Sequence, residues 1–125
     1  MSEIYWRRVT SKKAVASSTP MKNIHLMLND LSIPHFFDAI ISGEQVARGK
    51  PYPEVFLKAA RRTCLVPDRC LVFEDSAAGI AAAKRAGMKA IGITNTLPRE
   101  KLKAADRVVQ SLEEVDLQTI AHLLI

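Results

Sequence analysis

Short apolar runs alternate along this chain with longer stretches whose apolar residues recur at helical spacing. KAVAS, Lys13 to Ser17, is an apolar run that predicts a strand, and the small polar residues Ser18 and Thr19 follow it. Pro20 suits the first turn of a helix. Ile24, Met27, Leu28 and Leu31 then form one stripe, and Asp30 to Pro34 ends that helix. Asp38 to Ser42 predicts a second strand closed by Gly43, followed by a polar loop, EQVARGKP, over 44–51. Pro53 and Glu54 open a helix with Val55, Phe56, Ala59 and Ala60 facing inward. Cys70 to Phe73 reads as a third strand. Ser76 to Ala86 reads as the next helix, with Lys84 and Arg85 at its negative end and Gly87 as its C-cap. Lys89 to Ile93, a short helix at Pro98 to Lys103, a last strand at Arg107 to Val109 and a closing helix at Asp116 to Leu124 complete the pattern. Strands that alternate with helices predict right-handed crossovers and an α/β fold: a three-layer, Rossmann-like parallel sheet with helices on both faces.

The most informative stretch is Leu71 to Gly87, LVFEDSAAGIAAAKRAG. Its opening run fits a strand buried on both faces, as in a parallel sheet. Glu74 and Asp75 then fall at the strand's carboxyl end, where open α/β sheets hold ligands. Two adjacent acids are costly there unless a cation offsets them, and Mg²⁺ shared between carboxylates and phosphate oxygens is a natural partner. Singly, each element has a plainer explanation. Asp75 or Ser76 caps a helix, Ser17 and Ser18 cap the helix that Pro20 opens, and Lys50 is a solvated loop lysine. Together they supply a hydroxyl, an ammonium and paired carboxylates on one rim, the set that holds a phosphoryl group.

Composition narrows the class. The chain has 125 residues, 48% of them apolar, enough for the core of one domain or part of one. Cys64 and Cys70 are too few for a disulfide framework and read as buried, reduced thiols in a cytosolic protein. MSEIYWRRVTSKK lacks the apolar core of a signal peptide, and no stretch approaches a membrane span, so a cytoplasmic protein without a membrane partner is expected. The net charge of +5 suits a phosphorylated substrate or a nucleic acid. The positives are scattered over helix faces, and the cluster at Arg7, Arg8, Lys12 and Lys13 has no interleaved aromatics, so no nucleic-acid partner is expected. His25, His35 and His122 show no metal-ligand spacing. Met21, Met27 and Met88 read as core or near-core fillers, and Thr94 to Thr96 read equally as polar lining of the site or as a turn before Pro98.

The stretch GKPYPEVF, followed by VFEDSAAGIAAAKRAGM, resembles the haloacid-dehalogenase-like phosphotransferases, in the branch of β-phosphoglucomutases and small sugar-phosphate phosphatases. VASST is similar to that family's second motif and SGEQVARGKP to its third, so the resemblance runs from about Lys13 to Leu124. It implies a Mg²⁺-dependent phosphoryl-transfer enzyme, a phosphatase or mutase acting on a small phosphorylated metabolite. It further implies that the Ser17 hydroxyl and the Ser18 amide bind phosphoryl oxygens, and that Lys50, the catalytic candidate, neutralises nucleophile and phosphate. Asp75 would ligate Mg²⁺, Glu74 would ligate it or organise its waters, and Gly79 would permit close helix–sheet packing.

The family's nucleophilic Asp-x-Asp motif does not occur in the sequence. Asp30, Asp38, Asp68, Asp75, Asp106 and Asp116 are each followed two residues later by another residue type. The resemblance is therefore to the carboxyl-terminal half of such an enzyme, a single partial core domain over 1–125 without the family's first strand or cap. No group present can form the aspartyl-phosphate, so no turnover by this chain alone is expected, and its Mg²⁺ affinity should be weak. The alternative is a non-catalytic remnant that binds phosphate or acts through self-association. The missing strand belongs between strands 13–17 and 70–73, whose backbone groups must find other partners. Three remedies are open: direct pairing of the two, filling by residues 3–9 (which the family resemblance instead makes a helix), or a second chain. Self-association is expected.

Overall fold

The computed structural model describes residues 12–18, 20–30 and 37–124. Among them the order is β1 (Ala14–Ser17), α1 (Met21–Asp30), β2 (Ala39–Ser42), α2 (Glu54–Arg62), β3 (Leu71–Glu74), α3 (Ala77–Arg85), β4 (Lys89–Ile93), β5 (Arg107–Val109) and α4 (Leu117–Leu124). Every strand pair is parallel, as the alternation of strands and helices requires. The strands form two sheets, β1–β2 and β3–β4–β5. In the first, Ser17 lies opposite Ser42; in the second, Glu74 lies opposite Gly92. Helix α2 packs on β1 and β2, α3 packs on β3 and β4, and the two helices touch. One apolar core therefore runs beneath both sheets, from Ile41 and Val55 to Val72, Ile80 and Leu102. Helices α1 and α4 pack on β2 and β3.

Direct pairing of strands 13–17 and 70–73 does not occur: no ladder joins β1 to β3 among the described residues. The facing edges can be read from the ladders. The Lys13 carbonyl accepts from the Asp38 amide, so the backbone groups of Ala14 and Ala16 point away from β2. The Cys70 carbonyl accepts from the Lys89 amide, so those of Leu71 and Phe73 point away from β4. The seam between the sheets thus carries backbone donors and acceptors on both sides. Residues 3–9, the other candidate filling, lie outside the described residues.

Three local expectations are corrected. The third strand is shifted by one residue, and Phe73 is 41% exposed rather than buried, because β3 is the edge strand of its sheet. Met27 is 52% exposed, although Ile24 of the same stripe is buried. Helix α1 leans on β2, and a two-stranded sheet is too narrow to cover the whole stripe. Leu31 lies outside the described residues. Cys64 is exposed, not buried, and Cys70 is half-buried. Cys64 takes the left-handed conformation (φ 59°) just after α2, and the Leu65 amide reaches back to the Ala60 carbonyl. That closure of the last turn aims the Cys64 side chain at solvent.

Candidate functional site

Each candidate residue lies at the end of a strand or in a loop tied to one. Ser17 ends β1 and is half-buried, and the exposed Ser18 follows it. The Ser18 turn is pinned by Gly43, where a Cβ would meet the Ser18 carbonyl oxygen at 2.8 Å. A residue with a side chain could not pass the β1 turn so closely. Beyond Ser42, which is fully buried, a capping box closes the turn Gly43–Gln45.

The loop that carries Lys50 is held from several directions. The Glu54 carboxylate, in the first turn of α2, accepts from the Ala47 and Arg48 amides at 2.9 and 3.2 Å. The bond from Ala47 is the main reason that its pKa lies below the ordinary value; burial opposes the shift, and the Arg48 amide and the charges of Lys58 and Arg61 add to it. Lys58 donates to the Gln45 carbonyl, and the Arg85 guanidinium donates to the Pro51 carbonyl at 3.1 Å. The Lys50–Pro51 peptide is cis. Tyr52 is exposed under the Arg48 guanidinium, 5.0 Å from its ring centroid.

So held, Lys50 reaches across the seam. Its Nζ donates to the Ala16 carbonyl at 3.3 Å and to Glu74 Oε2 at 2.9 Å, and lies 5.1 Å from the Phe56 ring centroid. The Ala16 carbonyl is one of the groups that point into the seam. One ammonium therefore ties the carboxyl end of β1 to that of β3. The pair is sheltered, with side chains 14% and 10% exposed.

Glu74 turns inward over the start of α3. Its Oε1 accepts from the Asp75 amide, the Ser76 amide and the Ser76 hydroxyl at 3.2, 3.3 and 3.0 Å. Ser76 is also the N-cap of α3 and accepts from the Gly79 amide at 3.0 Å. A Cβ on Gly79 would lie 2.0 Å from Glu74 Cδ. Gly79 therefore makes room for a carboxylate, a more specific role than the helix–sheet packing expected of it.

Asp75 points elsewhere. Its Oδ2 accepts from the Thr96 hydroxyl at 3.1 Å, and Thr96 belongs to the turn after β4. With Glu74, Asn95, Gln110 and Ser111, Asp75 lines an open cleft of about 450 Å³ floored by Phe73, Ile93 and Leu112. The sequence left Thr96 undecided and gave no sign of Gln110 or Ser111. The hint for Thr96 was its place just past a strand end, on the rim of Asp75.

The fit to a divalent cation divides this acidic pair. Three donors crowd Glu74 Oε1 and the Lys50 ammonium meets Oε2, so a cation there would compete with an adjacent positive charge. Asp75 accepts from the Thr96 hydroxyl and has an open side toward the cleft. Among the described residues no group of three or more His, Cys, Asp or Glu could enclose a metal ion. A full Mg²⁺ shell does not form from these residues. One carboxylate, completed by water and a bound anion, is what they can offer.

No helix among the described residues is long and apolar enough to cross a membrane. The family model for the haloacid dehalogenase-like hydrolases matches residues 7–93. The phosphorylated carbohydrates phosphatase of Thermotoga maritima is 41% identical over 87 residues, 69% of this chain and 40% of that protein. The β-phosphoglucomutase of Bacillus subtilis is 37% identical over 109 residues, 87% of this chain and 46% of its own length. The solved β-phosphoglucomutase of Clostridium difficile superposes with a TM-score of 0.84 at 31% identity, over 97% of this chain and 52% of that one. The chain thus spans about half the length of these relatives, or less. Parallel strands, a lysine and twin acids on one rim, and these likenesses agree: the chain belongs to the haloacid dehalogenase-like hydrolases, in their β-phosphoglucomutase-like branch.

Proposed function

We propose that this chain supplies the anion- and cation-holding part of a Mg²⁺-dependent phosphoryl-transfer site for a small phosphorylated metabolite in the cytoplasm, and does not turn over substrate by itself. The observation that carries the reading is the position of Lys50, whose ammonium lies between the ends of β1 and β3, one residue from Ser17 and beside the Glu74–Asp75 pair. In this reading the Ser17 hydroxyl and the Ser18 amide donate to phosphoryl oxygens. Lys50 supplies a fixed positive charge in a sheltered place, where it counts for more than in open water. Mg²⁺, when bound at the acidic pair, would offset the remaining phosphate charge. Thr96 fixes the Asp75 carboxylate toward the cleft. No Asp-x-Asp nucleophile is present, so the phosphoryl group can be held but not taken up by this chain's own side chains.

The test is paired. Inorganic phosphate titrated into the purified chain with Mg²⁺ should bind, followed by ³¹P NMR, and binding should fall about tenfold in Lys50→Met. Robust Mg²⁺-dependent hydrolysis of a phosphate ester by the 125-residue chain would overturn the inactivity. Unchanged phosphate binding in Lys50→Met would overturn the site.

A second reading, a non-catalytic protein that acts through self-association, is favoured by the edges that β1 and β3 turn toward the seam, which no strand among the described residues covers. Light scattering separates the two, since a monodisperse monomer counts against self-association.

A further inference from the structure

The cleft beside Asp75 has a chemistry that a phosphoryl group does not use. We infer that it takes the non-phosphoryl part of the ligand, and that this part is a flat, pyrimidine-like ring with an amide edge rather than a bare sugar. The inference rests on the reading of the rim as a phosphoryl-holding site and names the class of ligand held there.

Three strands build the floor. Phe73 comes from β3, Ile93 closes β4, and Leu112 lies in the turn after β5. Phe73 is 41% and Leu112 is 56% exposed, so two large apolar side chains face water on one small surface. A single exposed apolar residue needs no explanation, but these meet at the carboxyl ends of parallel strands, where α/β sheets hold ligands. The volume, about 450 Å³, lies in the range of small-molecule sites.

The walls narrow the choice. Asn95 and Gln110 are exposed, and among the described residues their side-chain amides have no hydrogen-bond partner. Each offers two N–H donors and a carbonyl acceptor, so the pair can match an edge on which donors and acceptors alternate. The Ser111 hydroxyl oxygen accepts from the Glu113 amide and keeps its proton to give. A flat ring can lie on Phe73, Ile93 and Leu112 while its edge meets these groups. A sugar carries hydroxyls round its whole margin and has less flat apolar face to lay there. Glu74 joins the two regions, since it lines the cleft and also holds the Lys50 ammonium at 2.9 Å. A phosphoryl group at Lys50 therefore leaves the rest of its ligand at the mouth of the cleft.

The test titrates uridine monophosphate, ribose 5-phosphate and uridine, each with Mg²⁺, into the full chain, followed in ¹⁵N-resolved NMR spectra with circular dichroism to check folding. Uridine monophosphate should bind at least about tenfold more tightly than ribose 5-phosphate, and should shift the side-chain amide signals of Asn95 and Gln110. Leu112 and Asn95 are both exposed, so a chain carrying Leu112→Ser with Asn95→Ala should fold. In it the preference should shrink to about threefold or less. Equal affinity for the two phosphates in the parent chain, or a full preference that survives in the variant, overturns the inference and leaves the rim as read. Uridine that binds with shifts at Asn95 and Gln110, while ribose 5-phosphate does not bind, overturns the reading of the rim and leaves the cleft as a ring site. No binding of any of the three overturns both.

Discussion

Alanine in place of Gly79 should change sign with its surroundings. In an ordinary helix Gly→Ala stabilises by up to about 1 kcal/mol, since alanine has less backbone freedom to lose. Gly79 lies in α3 with no left-handed angle to protect, so on propensity alone the substitution should help. The obstacle is Glu74. The new Cβ would sit 2.0 Å from its Cδ and 2.2 Å from its Cγ and Oε2, far inside contact distance. A glutamate side chain can swing away, but to do so it must leave Lys50, the two amides and the Ser76 hydroxyl. Breaking a sheltered pair costs about 3–5 kcal/mol when a charge is stranded. Here the pair keeps some contact with water, and Lys50 retains the Ala16 carbonyl, so about 2–4 kcal/mol is the fitting range. Against the helix gain, Gly79→Ala should destabilise by about 1–3 kcal/mol. In a background carrying Lys50→Met and Glu74→Ala the recess is empty and no charge is stranded. There the same substitution should stabilise by about 0.5–1 kcal/mol. Urea unfolding followed by circular dichroism on the four proteins closes the cycle. A parent chain made more stable by Gly79→Ala, or the same sign in both backgrounds, would refute the claim that Gly79 exists to seat the Glu74 carboxylate.

Gly43→Ala should behave differently, because its Cβ would meet the Ser18 backbone oxygen at 2.8 Å and backbone cannot swing aside; about 1–3 kcal/mol of stability should be lost, with shifts of the Ser18 amide in ¹⁵N-resolved NMR spectra. Ser76→Ala removes both the N-cap of α3 and a donor to Glu74, and should cost about 1–2 kcal/mol in urea unfolding. Asp106→Asn breaks the contact to Lys84 at 2.8 Å and weakens that to the Ala90 amide at 2.7 Å; with the pair partly exposed, about 0.5–1 kcal/mol should be lost at neutral pH. Burial raises the pKa of Asp106, but the Lys84 hydrogen bond, the Ala90 amide and the charges of Lys84 and Lys89 outweigh it, so the net shift is downward. A carboxylate more acidic when folded stabilises above its unfolded pKa and loses that contribution as pH falls through its folded one. Urea midpoints measured from pH 6 downward should therefore fall less steeply below about pH 4 in Asp106→Asn than in the parent.

The sequence made the strands and most of the rim legible because apolar runs and acids at strand ends are local signals. Val55, Phe56, Ala59 and Ala60 are buried on the predicted face of α2, and Met88 is buried as expected. What escaped depended on neighbours distant in the chain. Met27 lies on a true helical stripe, but only the breadth of the opposing sheet decides how much of a stripe is covered. Cys64 looked like a core thiol because its exposure follows from a left-handed backbone angle that its own side chain does not announce. Glu74 and Asp75, adjacent in sequence, read as one acidic pair. Their separation into a paired and an open carboxylate comes from Lys50, 24 residues away from Glu74, and Thr96, 21 residues away from Asp75. Asp106, which joins α3, β4 and the approach to β5, gave no sequence signal at all, since a single acid before a short strand has no period.

The break between β1 and β3 governs how the molecule breathes. Among the described residues β1 and β3 are joined by an ammonium and by helix contacts, which are softer than a backbone ladder, so motion should concentrate along that line while β4, paired on both sides, stays rigid. Deuterium should enter the amides of Leu71 and Phe73 long before that of Ile91. Whatever strengthens the hold of Lys50 on Glu74 should slow that exchange.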